Sequence, residues 1–303
     1  MSKIINIENI GVLNEMLKQS KPKHPLVSVV DFSKANFSYG TKTQDNLKYT
    51  TSFYSILLKQ LDEGSVKYGR EYYDFQEGTL FFMSPNQVFS LESSGCVYGW
   101  GVYFHPDLIK GTSLTHTISD YSFFKYHVNE ALHLSEDEKS ELRNIVNGLE
   151  AELNRPIDKH SKFVIVSGIE LLLNHCMRYY DRQFITRGEA NKSVLASIEQ
   201  FLSSYFKTGL PKEKGLPTVK QCAQEVNLST NYLSDLLKKE TGKSTQEHIH
   251  YYLIEEAKNR LLTSNNTSIS EIAYGLGFEY PQYFSKVFKK IEGISPVEYR
   301  NLN

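Results

Sequence analysis

The chain is predicted to be α+β, with a β-barrel and a helical segment ahead of an all-α C-terminal domain. Three observations predict this. Residues 26–105 hold short β-branched and aromatic runs separated by turn signals. From about residue 136 the apolar positions switch to helical spacing. Near the C-terminus one pattern, a short helix, a tight turn and a second helix, occurs twice. A length of 303 residues suits two domains, here divided as 1–187 and 188–303.

Composition bounds the function classes. Hydrophobic residues make up 40% of the chain, with 20 Tyr and 17 Phe, so aromatic cores are expected. No run of ~18 apolar residues occurs, so no membrane partner is expected. The N-terminus lacks the apolar block and cleavage site of a signal peptide. Cys96, Cys176 and Cys222 are odd in number and far apart, which argues against a disulfide framework or a metal knuckle. A cytoplasmic setting is expected.

Residues 1–25 read as peripheral, with Pro22–Pro25 turning into the first strand. Strands are expected at Leu26–Phe32, Tyr54–Leu58, Ser65–Tyr68, Thr79–Met83, Val88–Leu91 and Tyr98–Phe104. The turns between them are Asp62-Glu63-Gly64, Glu77-Gly78, Ser84-Pro85-Asn86 and Ser94-Gly95. The phrase Glu77 to Pro85 resembles the hairpin strand of a cupin-type barrel. Enzymes of that fold hold a metal with a His-x-His pair, a carboxylate and a third His. Here His105 is the only histidine between His24 and His116, so no metal or other cofactor is expected and His105 reads as a strand end. The aromatic residues of the barrel read in two ways, as core or as the lining of a site for a small organic effector. On the second reading Tyr54, Phe81, Trp100 and Tyr103 are the candidates, with Trp100, the only tryptophan, foremost.

Residues 106–187 turn helical. Ser135-Glu136-Asp137-Glu138 is an acidic helix start, and Leu142, Ile145, Val146 and Leu149 form its apolar face to about Leu153. Asn154-Arg155-Pro156 ends it. A second helix from His160 to about Tyr180 has Phe163, Val166, Ile169, Leu173 and Met177 as its stripe. Both helices suit packing on the barrel and a dimer interface. Phe184–Glu189 reads as the linker, Ala190–Phe206 as a first helix of the second domain, and Lys207–Pro217 as an exposed loop.

The doubled pattern comes next. In Val219 to Glu240, Ala223 and Val226 face inward, Asn227 takes the turn, and Leu233, Leu236 and Leu237 anchor the following helix. Downstream, Ile272, Ala273 and Leu276 precede the turn residue Gly277, and Phe284, Val287 and Phe288 anchor. Gly, and next Asn, tolerate the left-handed backbone such a turn needs. This is the grammar of a helix-turn-helix. Ala223 and Ala273 lie 50 residues apart and the anchors Leu233 and Phe284 lie 51 apart, so the second turn is one residue longer. Between the copies, Ile249, Leu253, Ala257 and Leu261 step along one long buried helix. Gly293-Ile294-Ser295 stops the last helix, and Pro296 opens another.

The order of these parts, closing on GF, YFSKVFKK, G, SP and YR, resembles the AraC/XylS family of bacterial transcription regulators over residues 190–302. The family usually has Arg four residues before the Ala of the joining helix, where this chain has Leu253. The resemblance implies a cupin-like domain in front that senses a small molecule or mediates assembly, a homodimer, and activation through contact with RNA polymerase on promoter DNA. It implies no enzyme. The alternatives are a regulator whose barrel only dimerises, and a cupin-type enzyme tethered to DNA.

The formal net charge is −1, and residues 189–303 hold 14 Lys and Arg against 13 Asp and Glu. DNA binding therefore rests on local clusters at Lys238-Lys239, Lys243, Lys286 and Lys289-Lys290. In a helix-turn-helix the second helix enters the major groove. Opposite the anchors of the first copy lie Thr230, Asn231, Ser234 and Asp235, with Lys238 and Lys239 toward phosphates. Asn231 suits adenine and Asp235 suits cytosine N4; Asp235 also reads as a helix-start charge that meets no base. In the second copy Gln282, Ser285, Lys286 and Lys289 face outward, and Gln282 suits adenine. Two such units tied by a stiff helix suit successive major grooves, about 34 Å apart.

Overall fold

The computed structural model describes residues 4–33, 48–61, 65–68, 71–74, 79–89, 97–263 and 267–302. The chain divides into two compact units, Met1–Ile185 and Thr186–Asn303.

The first unit begins with β1 (Ile4–Ile7) and α1 (Ile10–Met16). Its strands continue as β2 (Val27–Asp31), β3 (Lys48–Thr51), β4 (Tyr54–Leu61), β5 (Ser65–Tyr68), β6 (Glu71–Asp74), β7 (Thr79–Met83) and β8 (Val97–Phe104). After short helices α2 (Pro106–Ile109) and α3 (Leu114–Thr117) comes a two-residue strand, β9 (Leu132–His133). The helices α4 (Glu136–Leu153) and α5 (Ser161–Thr186) complete the unit. The main sheet is antiparallel with strand order β2-β8-β4-β7-β9, while β1 pairs parallel with β3 and β5 pairs with β6.

Register sorts the sheet into two faces, because directly opposed residues point the same way. Tyr54 is opposite Phe104, Ile56 opposite Val102 and Leu58 opposite Trp100. That face meets the helical segment: Tyr54 stacks on Phe104 and meets Phe124 edge-on, the ring centres of Phe82 and Phe123 lie 4.2 Å apart, and Arg143 of α4 bonds Asp31 at 2.9 Å. Ser55 is opposite Tyr103, and Leu57 opposite both Gly101 and Phe81. Their face joins a core with Ile7, Ile10, Leu13, Phe32 and Phe53.

The expectation that residues 1–25 are peripheral therefore fails at β1 and α1. Asn9 caps α1 by accepting from the Val12 amide at 3.0 Å, and Ile10 and Leu13 close one side of the sheet. The signal in so short a helix is one i, i+3 pair, too little periodicity to distinguish it from a loop. Two other expectations change. On α5, Phe163 and Met177 are exposed, and the buried stripe runs through Ile165, Val166, Ile169, Leu172, Leu173 and Cys176. The same helix runs through Phe184 to Thr186, with only Arg187 before the next helix, because Phe184 continues the buried stripe four residues beyond Tyr180. Near Val88 the described residues show only a Phe89–Tyr49 bridge; Leu91, Cys96 and the turns at Asp62–Gly64, Glu77-Gly78 and Ser94-Gly95 lie outside them.

The second unit is all helical: α6 (Gly188–Lys207), α7 (Leu210–Lys214), α8 (Val219–Glu225), α9 (Thr230–Thr241), α10 (Thr245–Thr263), α11 (Ile269–Gly275), α12 (Pro281–Glu292) and α13 (Pro296–Leu302). Phe206 of α6 and Leu253, Ala257 and Leu261 of α10 pack with Phe284 and Phe288 of α12. The stretch expected as an exposed loop instead contains α7, whose Pro211 is buried, and Tyr205 holds the Gly215 carbonyl at 3.1 Å. This segment presses on the second turn. A Cβ at Gly277 would lie 2.7 Å from the Pro211 carbonyl oxygen and 2.8 Å from the Gly215 carbonyl carbon, at a φ of +90°. We expect Gly277→Ala to cost the second unit about 2–4 kcal/mol, from the left-handed backbone and the overpacking together. Urea unfolding measures it, and a midpoint equal to that of the unsubstituted chain would show that the turn has room to spare.

Candidate nucleic-acid interface

Each half of the candidate interface is built from the same local parts. Thr218 and Gln221 form a reciprocal capping box at the start of α8, and Ser268 and Glu271 form one at the start of α11. Each of these helices ends on a left-handed residue, Asn227 at φ +54° and Gly277 at φ +90°. One residue on, the chain folds back: the Leu228 amide donates to the Ala223 carbonyl at 2.9 Å, and the Phe278 amide to the Ala273 carbonyl at 3.0 Å. The extra residue of the second copy lies beyond this bond. Ser229 alone separates Leu228 from α9, whereas Glu279 and Tyr280 separate Phe278 from α12.

The helix starts then differ chemically. Ser229 accepts the Tyr232 amide at 3.2 Å. Tyr280 makes no side-chain cap bond, and Pro281 sets the first turn instead. The apolar anchors Leu233, Leu236 and Leu237, and Phe284, Val287 and Phe288, are all buried. Both second helices stop on a left-handed glycine, Gly242 and Gly293, whose amides bond Lys238 and Lys289. Two further matched boxes follow, Ser244 with Glu247 and Ser295 with Glu298. The backbone amides of these serines hold both carboxyls below the usual range. The repeat thus extends past the second helix, and the Ser-x-x-Glu spacing was its sequence signal.

Burying the anchors turns the opposite side outward. Thr230, Asn231, Ser234 and Asp235 are half-buried on α9, and Lys238 and Lys239 are exposed in its last turn. Thr230 donates to the Asn231 side-chain oxygen at 3.3 Å, which leaves the Asn231 amide group pointing its donors elsewhere. On α12, Gln282, Lys286 and Lys289 are exposed, while Ser285 is half-buried and donates back to the Pro281 carbonyl at 3.2 Å. Paired lysines fall at the same place in both copies, Lys238-Lys239 and Lys289-Lys290. Sequence reasoning passed over Tyr280 and Tyr283, which stand exposed on either side of Gln282.

The joining helix α10 has 19 residues, roughly 28 Å of rise. Ile249, Leu253, Ala257 and Leu261 are fully buried along it, so Leu253 serves as core where the family usually has Arg. Arg260, braced by Glu256, donates to the Gly275 carbonyl at 2.9 Å and ties α10 to the end of α11.

The four aromatic candidates of the first unit do not share one surface. Phe81 and Tyr103 lie on the face toward α1, and Tyr54 and Trp100 on the face toward the helices. The face of Phe81 also carries Ser55, whose buried hydroxyl has no hydrogen-bond partner, and the buried Lys59, which burial pulls down to about 7. Lys59 sits 5.5 Å from the Phe81 ring centre and 5.7 Å from that of Phe32. Among the described residues no His, Cys, Asp and Glu cluster could hold a metal ion, and no helix is long and apolar enough to cross a membrane.

Two family models match the chain. One, a helix-turn-helix domain, covers residues 222–302, and the other, an AraC-like ligand binding domain, covers 50–161. Among curated relatives, the uncharacterized HTH-type transcriptional regulator YisR of Bacillus subtilis is 31% identical over 133 residues, 44% of each chain. The lactose operon transcription activator of Staphylococcus xylosus is 23% identical over 256 residues, 84% of this chain and 86% of its own. The C-terminal domain of AraT, a response regulator from Geobacillus stearothermophilus, is 30% identical, with 36% of this chain and 85% of that one covered at a TM-score of 0.32. The chain spans under half the length of the first curated relatives it matches.

The outward side chains make separable demands. Asn231→Ala and Gln282→Ala should each cost about 1–3 kcal/mol on a selected site and relax preference at one base pair, in different grooves. Lys238→Ala should weaken all sequences alike and lower the salt slope by about 1. Binding titrations against single-base variants check both, and an unchanged preference in Asn231→Ala would mean that the wrong side of α9 has been assigned.

Proposed function

The chain belongs to the AraC family of transcription regulators, and on that premise we propose that it binds double-stranded promoter DNA sequence-specifically, each subunit reading two adjacent major-groove segments. The observation that carries this is the paired turn. The same left-handed residue and the same backward bond, in Asn227–Leu228 and Gly277–Phe278, set both second helices on their anchors and leave Asn231 and Gln282 outward. Residues 188–303 act as the DNA-binding domain and residues 1–187 as the regulatory and dimerisation domain. The output is activation through RNA polymerase. The S. xylosus relative, a lactose operon transcription activator matched over most of its length, supports that sign.

The subunits pair through α5. Val164 and Leu171, seven residues apart, and Phe163 and Met177, fourteen apart, lie exposed on one side of it. A small polar effector binds the face of the sheet that carries Ser55, Phe81 and Tyr103. An orphaned hydroxyl beside aromatic rings suits a ligand that both stacks and hydrogen-bonds. The helix-facing Trp100 then reports on α4 and α5 rather than touching the ligand. The second reading, a first unit that only dimerises, is favoured by the rings that fill both faces.

Selection of sites from random duplex DNA tests the function. One enriched site with two half-elements is expected, and enrichment no better than for non-specific DNA would refute it. Sedimentation tests the pairing: the full chain should run as a dimer and Leu171→Glu as a folded monomer, whereas a Leu171→Glu dimer would move the interface elsewhere.

A further inference from the structure

A cleft of about 380 Å³ lies beside the second reading helix. One wall is the flank of α12, with Tyr283, Lys286 and Lys290 above Val287 and Ile291. The other is the connection from α9 and the first turns of α10, with Lys243, Glu247, His250 and Tyr251. The cleft therefore sits between the two helix-turn-helix copies, and Lys286 belongs both to it and to the outward side of α12.

Its chemistry selects an anion. Three ammonium groups line it against one carboxylate, and Glu247 is already engaged by the Ser244 amide at 2.7 Å and hydroxyl at 2.8 Å. Lys243 is held 4.7 Å from the ring centre of Tyr251. Tyr251 and Tyr283 are exposed and add two hydroxyl donors. Burial and the nearby Lys290 hold His250 below its usual range, against a smaller upward pull from Glu247.

We propose that this cleft seats the sugar–phosphate backbone that runs between the two read segments, making Lys243, Lys286 and Lys290 the contacts that fix their spacing. The proposal rests on the DNA-binding reading above. When two reading helices occupy successive major grooves on one side of a duplex, the minor groove and its phosphates lie between them. A surface there meets an anion whatever the sequence, and position rather than base identity is what phosphate contacts supply. Two copies joined by a stiff helix alone would fix a distance; a cationic seat between them also fixes the rotational setting of the duplex.

The test uses the full chain and its selected duplex. Methylphosphonate linkages, which are neutral, replace phosphates one at a time across the stretch between the half-elements. We expect wild type to lose affinity at a few adjacent linkages and nowhere else in that stretch. Lys243→Ala and Lys290→Ala should each lower the log–log salt slope by about 1, and the double variant should no longer distinguish the neutral linkages from normal ones. Equal binding of all linkages by wild type overturns the proposal, as do variants with the wild-type slope. Loss of transcription with RNA polymerase but unchanged DNA binding in the double variant would overturn it too, by assigning the cleft to an acidic protein segment. Failure of the wider reading looks different, since wild type would then select no site at all.

Discussion

The second unit depends on one small interaction made twice. A residue with positive φ lets the next amide reach back to an alanine carbonyl, Leu228 to Ala223 and Phe278 to Ala273. That bond ends the first helix and sets the direction of the second. The alanines are nearly or fully buried, so the chain crosses closely at that point. Once the direction is set, the anchors go inward and the polar side of α9 or α12 goes outward by helical geometry alone. The outward polar side thus descends from a backbone constraint, and the proposed recognition rests on the side chains placed there.

The two copies meet this constraint by different means. Asn227 stands in open surroundings and only needs to tolerate its backbone angles. Gly277 must do so while the Pro211 carbonyl and the Gly215 backbone approach it. The second turn is therefore locked to α7 as well as to its own helices, and α10 adds a further tie through Arg260 and the Gly275 carbonyl. The extra residue of the second copy falls after the constrained bond, at Glu279-Tyr280, where it moves the helix start without disturbing the turn.

The features legible in the sequence are those written in periodicity and in turn chemistry. Anchors at i, i+3 and i+4 and a turn Gly or Asn located both copies, and Pro296 marked a helix start that the structure places there. The N-terminal sheet was legible as strands, but not as faces. Phe81 and Trp100 look alike as aromatic residues in neighbouring strands, and only pairing register shows that they point to opposite sides. The buried role of Ile7, Ile10 and Leu13 was hidden because short segments carry too few periods to stand out. The cleft beside α12 joins residues over 40 positions apart, Lys243 and Lys290, and no local pattern announces it.

The central claim is that two rigidly joined units read one side of the duplex about one helical turn apart. The most direct measurement inserts five base pairs between the half-elements of the selected site and compares affinity with the parent duplex and with a duplex carrying one half-element. Half a turn places the two segments on opposite sides. The account predicts that the insertion lowers affinity to that of the single half-element. Undiminished binding to the inserted site would contradict it, because it would require the two units to move independently.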